Sequence, residues 1–187
     1  MPDPVSRAIE PTFFRWDASM PPPAAQAVSD MAQYGIVVAV ILVGLAALWI
    51  ARGAPRERVT ETVLRLAPGI VAVAVAFAVA HVAGRLVTEV RPFVLLGQPA
   101  LFAHAADASF PSDHVTAGMA MLGARIGRGA RWLTALVVAL VGLARVIAGV
   151  HWMIDIVGGA AIGLVLAWLA SLAWSALSPR IPALRTA

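Results

Sequence analysis

Apolar residues fall in long unbroken runs separated by short polar stretches. Residues 34–51, 66–85, 132–148 and 151–177 each read as a helix that crosses hydrocarbon, for which about 20 consecutive apolar residues are needed. A shorter helix is predicted over 114–126 and counts as the third of five spans. The first span can begin as a helix at Ala24, and the second carries Pro68 in its first turns. Residues 52–65 form a polar connector with Arg52, Arg56, Arg58 and Arg65. Residues 125–131 hold Arg125, Arg128 and Arg131, and the tail 178–187 holds Arg180 and Arg185. Residues 87–111 form the longest non-spanning stretch after the N-terminal segment. Phe93, Leu95, Leu96, Leu101 and Phe102 predict that it lies against the membrane or lines a cavity. Residues 1–23 are mixed. Phe13, Phe14 and Trp16 beside Arg7 and Arg15 suit a short interfacial segment, and a loosely ordered tail fits them equally. Residues 1–30 lack the basic start, apolar core and small-residue cleavage site of a signal peptide. The expectation is an all-α polytopic membrane bundle of about five transmembrane helices, forming one domain over 1–187.

Composition narrows the chemistry. The chain is 60% hydrophobic and 13% charged, with a mean hydropathy of +0.85, which is outside the range of a soluble domain. It has no cysteine, which excludes disulfides, thiolate zinc sites and thiol nucleophiles. Every basic residue is arginine, which excludes a catalytic lysine or Schiff base. The net charge of +4 comes without a basic stripe interleaved with aromatics, so the expected partners are the bilayer and anionic headgroups, not nucleic acid.

Charge also predicts orientation. The connectors after spans one, three and five are arginine-rich and should be cytoplasmic. The other connectors then face outside, as does the N-terminal segment, although its two arginines disagree mildly and a re-entrant N-terminal helix would change that detail. On this reading Arg85, Arg91, Ser112, Asp113, His114, Arg145, His151 and Asp155 all reach the same external face.

Three polar clusters stand out there. In Arg145–Asp155, His151 and Asp155 are four apart, a spacing that puts them on one helix face, and Arg145 precedes them across a break at Gly149. Ionisable residues inside hydrocarbon cost roughly 2.5–3.5 kcal/mol each, so they mark function. A carboxylate holding one imidazole nitrogen leaves the other free as a nucleophile or base. In Phe110-Pro111-Ser112-Asp113-His114, Ser112 can cap a helix whose first-turn N–H groups bind an anion, with His114 pointing at it. Serine and aspartate are also ordinary helix starters. In the third cluster Arg91 is held extended by Pro92 and so aims off a helix end, or serves as an interfacial anchor. Arg85 has Glu89 four residues on as an alternative partner. His81 and His104 read as structural. Gly159 and Gly163, and likewise Thr116, Ala120 and Ala124, form small-residue seams that bring helices close, so His114 and His151 meet across one pocket. Two histidines, several arginines, a helix N-terminus and one orienting carboxylate suit phosphoryl transfer.

In its motifs the chain resembles the type-2 phosphatidic-acid phosphatase superfamily, which includes vanadium haloperoxidases. Arg91-Pro92, then Pro111-Ser112-Asp113-His114, then Arg145 with His151 and Asp155 follow that family's order and spacing. Within it, the wording from His104 to His114 and from Gly149 to Asp155 is most similar to the bacitracin-resistance type of undecaprenyl-diphosphate phosphatase, over roughly residues 81–169. The resemblance implies His151 as nucleophile, Asp155 as its orienter and His114 as general acid. It implies that Arg91, Ser112 and Arg145 hold the phosphoryl group, with no metal and no cofactor. Two positions depart from the pattern. Gly84 stands where the family has lysine, with Arg85 one step away, about 100° around a helix. Ala144 stands where it has serine before the arginine. Asp113 replaces the common glycine and is a candidate for selecting a diphosphate.

The expected activity is removal of the terminal phosphate of undecaprenyl diphosphate, or another polyprenyl diphosphate, at the outer face of the cytoplasmic membrane. This would recycle a carrier lipid for cell-wall synthesis. A broader phosphatase for phosphatidate or phosphatidylglycerol phosphate shares the same chemistry. A non-catalytic lipid-binding or transport subunit and a haloperoxidase are weaker alternatives.

Overall fold

The structure, a computed structural model, describes residues 19–52, 55–125 and 127–180. The proposed interfacial residues Phe13, Phe14 and Trp16, and Arg185 of the tail, lie outside the described residues. Among the described residues the helices follow in the order α1 (Pro22–Ala51), α2 (Arg56–Leu86), α3 (Pro92–Leu95), α4 (Asp113–Ala120), α5 (Arg128–Ile147) and α6 (Met153–Leu177). Short 3₁₀ turns follow α4 at Met121–Gly123 and α6 at Ser178–Arg180. Among the described residues there is no strand, only an isolated antiparallel bridge between Val90 and Ala108.

The architecture is the expected membrane helical bundle. Val59–Leu86, Arg128–Ile147 and Met153–Arg180 are long and apolar enough to cross a bilayer, among the described residues. Large apolar side chains such as Phe77, Trp132, Leu164 and Trp168 are exposed on their outer faces, as a helix surrounded by lipid requires. The apolar run 34–51 lies along the second half of α1. The third predicted helix proves shorter than 114–126. At eight residues α4 rises only about 12 Å, well under the roughly 30 Å of hydrocarbon, so it packs inside the bundle without spanning it. It ends where close packing takes over: a Cβ on Gly123 would lie 3.1 Å from the Ala167 carbonyl oxygen. The second helix begins earlier than residue 66, at Arg56, and an ion pair between Glu61 and Arg65 one turn apart supports its early part. Pro68 therefore stands inside the helix instead of near its start.

The small-residue seam is the bundle's central joint. A Cβ on Gly159 would lie 2.9 Å from Thr116 Oγ1, and one on Gly163 would collide with the Thr116 carbonyl and sit 2.7 Å from Met119 Cβ. Thr116 and Ala120 of α4 are fully buried against this face, so backbones touch where side chains would hold them apart. Gly142 of α5 meets Ile156 in the same way, and Gly35 of α1 meets Val141. The helices are thereby brought together with the start of α4, the end of α5 and the start of α6 at one end. The arginine-rich connectors lie at the other, where the Arg125 N–H donates to the Arg65 carbonyl.

Replacing Gly163 by valine should cost about 1–3 kcal/mol or prevent folding, because the helix backbones must separate. Gly129→Val, where a Cβ meets nothing within 4 Å, should leave thermal unfolding in detergent within a degree or two. Equal melting of the two variants would contradict the joint.

Candidate active site

The last turn of α5 carries Arg145, and the chain then turns sharply through Gly149 to reach His151. Gly149 has φ +76, a left-handed conformation that glycine adopts without steric cost. Its carbonyl accepts the Phe93 N–H at 3.1 Å, which ties this turn to the start of α3. His151 therefore precedes α6 and is not on it. Its pairing with Asp155 has a different origin from the helical spacing expected. Asp155 is the third residue of α6, and its Oδ2 accepts the Trp152 backbone N–H at 2.8 Å, as an N-terminal cap does. The same oxygen lies 3.4 Å from His151 Nδ1 and takes the Ser109 hydroxyl in a very short hydrogen bond. One fully buried carboxylate oxygen thus holds helix, loop and imidazole together.

Two guanidinium groups converge on the far side of the ring. Arg145 Nη2 lies 3.1 Å and Arg91 Nη1 3.4 Å from His151 Nε2. Guanidinium N–H groups only donate, so Nε2 is the unprotonated acceptor and the ring proton sits on Nδ1, facing Asp155. Burial, and after it the charges of Arg145 and Arg91, hold the imidazole of His151 well below its usual pKa. The ring is neutral at pH 7, with its lone pair directed between two cations.

Both arginines are buried and fastened elsewhere. Arg91, extended at the start of α3 as Pro92 requires, donates to Asp107 at 2.9 Å and to the carbonyls of Val150 at 2.8 Å and Ala108 at 3.1 Å. Arg145 donates through Nη1 to the Ala32 carbonyl of α1 at 2.8 Å. Its Nε is buried without a partner among the described residues.

Ser112 occupies the N-cap position of α4, as expected, but its hydroxyl caps nothing. Its N–H donates to the Asp155 carbonyl at 3.2 Å, and its carbonyl accepts from the N–H and hydroxyl of Thr116. Ser112 Oγ is buried and unpartnered among the described residues. His114, in the first turn of α4, is partly buried and pushed down to about 4, by burial first and then by the charge of Arg145. The Gln33 carbonyl opposes that shift. Asp113 is exposed at the rim, and burial of its carboxyl raises its pKa against the opposing pull of Arg145 and Arg91.

Arg85 is not brought in. It is exposed at the end of α2 and makes no contact with these groups, while Gly84 faces the loop, 3.4 Å from the Phe110 carbonyl measured at an ideal Cβ. The 100° step separates the two positions. Three residues have roles that the sequence reading did not assign: Asp107, which binds Arg91; Ser109, which binds Asp155; and His104, read as structural, whose Nε2 lies 3.2 Å from Arg145 Nη2. All three lie in 104–114, one of the stretches that carry the family resemblance. Among the described residues no three His, Asp or Glu side chains are grouped to hold a metal ion.

Ser109→Ala should lower stability by about 1.5–3 kcal/mol, the usual worth of a hydrogen bond to a buried charged group, read from thermal or denaturant unfolding. A change below about 0.5 kcal/mol would show that Asp155 does not depend on this hydroxyl.

Comparison with known proteins follows the same residues. A sequence model of the PAP2 superfamily matches residues 65–178. Over 83 residues the chain is 36% identical to the undecaprenyl-diphosphatase BcrC of Bacillus subtilis (strain 168), covering 43% of each protein. Over 114 residues it is 33% identical to the putative undecaprenyl-diphosphatase YbjG of Escherichia coli (strain K12), covering 59% of this chain and 58% of that one. The bacitracin transport permease protein BcrC of Bacillus licheniformis is 28% identical over 128 residues, 67% of this chain and 60% of that protein. The chain thus spans roughly half the length of the curated relatives it matches. Among solved structures, Aquifex aeolicus LpxE superposes with a TM-score of 0.61 at 22% identity, covering 85% of this chain and 92% of that one. The PAP2 type phosphatidylglycerolphosphate phosphatase of Bacillus subtilis superposes with a TM-score of 0.64 at 16% identity, covering 94% and 89%. At these identities the likeness is one of fold. The matched model takes in more than half of the chain, including Arg91, Ser112, His114, Arg145, His151 and Asp155, and the chain belongs to the PAP2 superfamily.

Proposed function

We propose that this protein is a membrane lipid-diphosphate phosphatase that removes the terminal phosphate of undecaprenyl diphosphate through a phosphohistidine intermediate. The observation that carries the reading is the unprotonated Nε2 of His151 set between two buried guanidinium groups. A phosphoryl group there has a nucleophile in front of it and cations beside its oxygens, the arrangement that lowers the barrier to in-line transfer. His151 Nε2 attacks the terminal phosphorus, forming the P–N bond as the bridging P–O bond breaks. Asp155 keeps the ring proton on Nδ1 and stabilises the positive charge that develops. His114 hands a proton to the departing phosphate oxygen. It then takes a proton from the water that cleaves the P–N bond and releases inorganic phosphate.

Arg91 and Arg145 hold the phosphoryl oxygens, and Ser112 Oγ and Arg145 Nε supply further donors. Asp113 lies at the rim, where a second phosphate would pass. Arg85 contributes to no step in this arrangement. The choice of undecaprenyl diphosphate rests on the relatives BcrC and YbjG, whose names carry that substrate, and on the stretch 104–114. We read the active site as facing the extracytoplasmic side of the cytoplasmic membrane; the support is the arginine-rich connector 125–131, which meets Arg65 at the other end of the bundle.

Purified protein should release phosphate from undecaprenyl diphosphate with excess chelator present. His151→Ala should lose roughly a thousandfold or more of the rate. Full activity of that variant would rule out the mechanism, and a preference for phosphatidate in a matched-detergent panel would shift the substrate to the broader lipid class.

The pH behaviour has a definite sign. His104, His114 and His151 are all held below their usual pKa, so the free site is neutral at its imidazoles at pH 7. His104 and His151 keep accepting from Arg145 through Nε2, so a bound dianion favours the charged form of His114, the proposed acid, and binding takes up a proton. Titration of sulfate, whose own charge does not change between pH 6 and 8, should tighten as pH falls and show proton uptake in buffers of different ionisation enthalpy. Proton release would contradict the assignment.

A further inference from the structure

His104 stands on the loop between α3 and α4, six residues or more from any helix end. That loop is fastened to the site at several points. The Leu101 N–H donates to the Ala148 carbonyl at 3.2 Å, Asp107 and the Ala108 carbonyl accept from Arg91, and the Ser109 N–H donates to the Glu89 carbonyl at 2.8 Å. The imidazole is thus carried to a defined place, tilted against Phe102 at 5.9 Å and edge-on to His151 at 6.4 Å between ring centroids.

Its protonation pattern is fixed by its neighbours. Nε2 faces Arg145 Nη2 at 3.2 Å, and a guanidinium nitrogen cannot accept, so this nitrogen carries the lone pair. Nδ1 keeps the proton and donates it to the Ala105 carbonyl at 3.1 Å. Arg145 Nη2 bears two hydrogens. One is directed to His104 Nε2 and the other to His151 Nε2. On the remaining side Nη1 is held by the Ala32 carbonyl. The guanidinium plane is therefore set by one acceptor on α1 and one on this loop, and together they determine where its inner N–H points.

We propose that His104 is a positioning residue for phosphoryl transfer, its neutral ring accepting through Nε2 so that the Arg145 guanidinium stays aimed at the reacting nitrogen of His151. When phosphorus bonds to His151 Nε2, the inner N–H of Arg145 turns to a phosphoryl oxygen while the outer one remains on His104. The ring touches neither the attacked bond nor the leaving oxygen; it acts through the arginine. Burial, the largest influence on this imidazole, favours the neutral accepting form that the role requires. The inference rests on the phosphoryl-transfer reading above.

The test is a set of three variants. His104→Phe keeps the ring shape and its packing on Phe102 but has no acceptor. His104→Gln places an amide oxygen near the position of Nε2. His104→Ala has neither. His104→Phe and His104→Ala should lower kcat on undecaprenyl diphosphate about tenfold to a hundredfold, the scale of a misaimed catalytic group, with KM changed less than threefold because the lipid tail dominates binding. His104→Gln should recover most of the loss. Thermal unfolding should be the same for His104→Phe and His104→Gln. Inorganic phosphate binding, measured by titration, should weaken by about tenfold in His104→Phe and by less than threefold in His104→Gln. Wild-type kcat in His104→Phe, or equal losses in His104→Phe and His104→Gln, would overturn the role. If the wild type cleaves no lipid diphosphate, the functional reading fails by itself, and the phosphate-binding ratio still decides whether His104 sets Arg145.

Discussion

Two buried guanidinium groups share one nitrogen lone pair, and the rest of the site follows from that constraint. Like charges brought together away from water repel, and their desolvation is costly unless each N–H finds an acceptor. The chain satisfies Arg91 with the carboxylate of Asp107 and two loop carbonyls, and Arg145 with a carbonyl of α1 and the ring of His104. His151 Nε2 accepts a further N–H from each, and Arg145 Nε is left without a partner among the described residues. None of these partners except Asp107 is an anion, so two guanidinium charges face a neutral imidazole. On the proposed function, these charges would favour a phosphoryl group more as its oxygens gain charge, the form of stabilisation that accelerates a reaction.

Holding that arrangement takes three segments far apart in the chain. The small residues of α4 and α6 set how closely the helices meet, and this places Ser112 and Asp155 within hydrogen-bond distance through their backbones. Asp155 serves two ends at once: it closes the first turn of α6 and holds the imidazole and Ser109. A cap on a helix thus also holds the His151 ring, so the site's geometry is bound to the stability of α6.

Much of this was legible in the sequence, and the reasons differ by residue. The long apolar runs and the seam through Gly159 and Gly163 follow from periodicity and side-chain size, and the structure has both. Arg91, Ser112, Arg145, His151 and Asp155 were visible because charged and polar groups beside hydrocarbon are costly and recur at a fixed spacing. Ser112 stands at the expected N-cap position, yet its hydroxyl does not cap, and its N–H donates to the Asp155 carbonyl. Arg85, one helical step from the position where the family has lysine and with Glu89 as an alternative partner in the sequence, is exposed. His104 and Ser109 stood in a loop without periodicity, where spacing carries no direction.

By itself the sequence determined the class of molecule and the inventory of its chemistry: apolar helices of membrane-crossing length, arginine as the only basic side chain, and a histidine with a carboxylate four residues on. These depend on composition and local spacing, which the chain carries whether folded or not. Only the tertiary structure decided which nitrogen of His151 is free, which arginines reach it, and that His104 and Ser109 contact Arg145 and Asp155 while Arg85 is exposed. Those facts depend on contacts between residues as far apart as Ala32 and Arg145, whose geometry comes from how closely the helices pack.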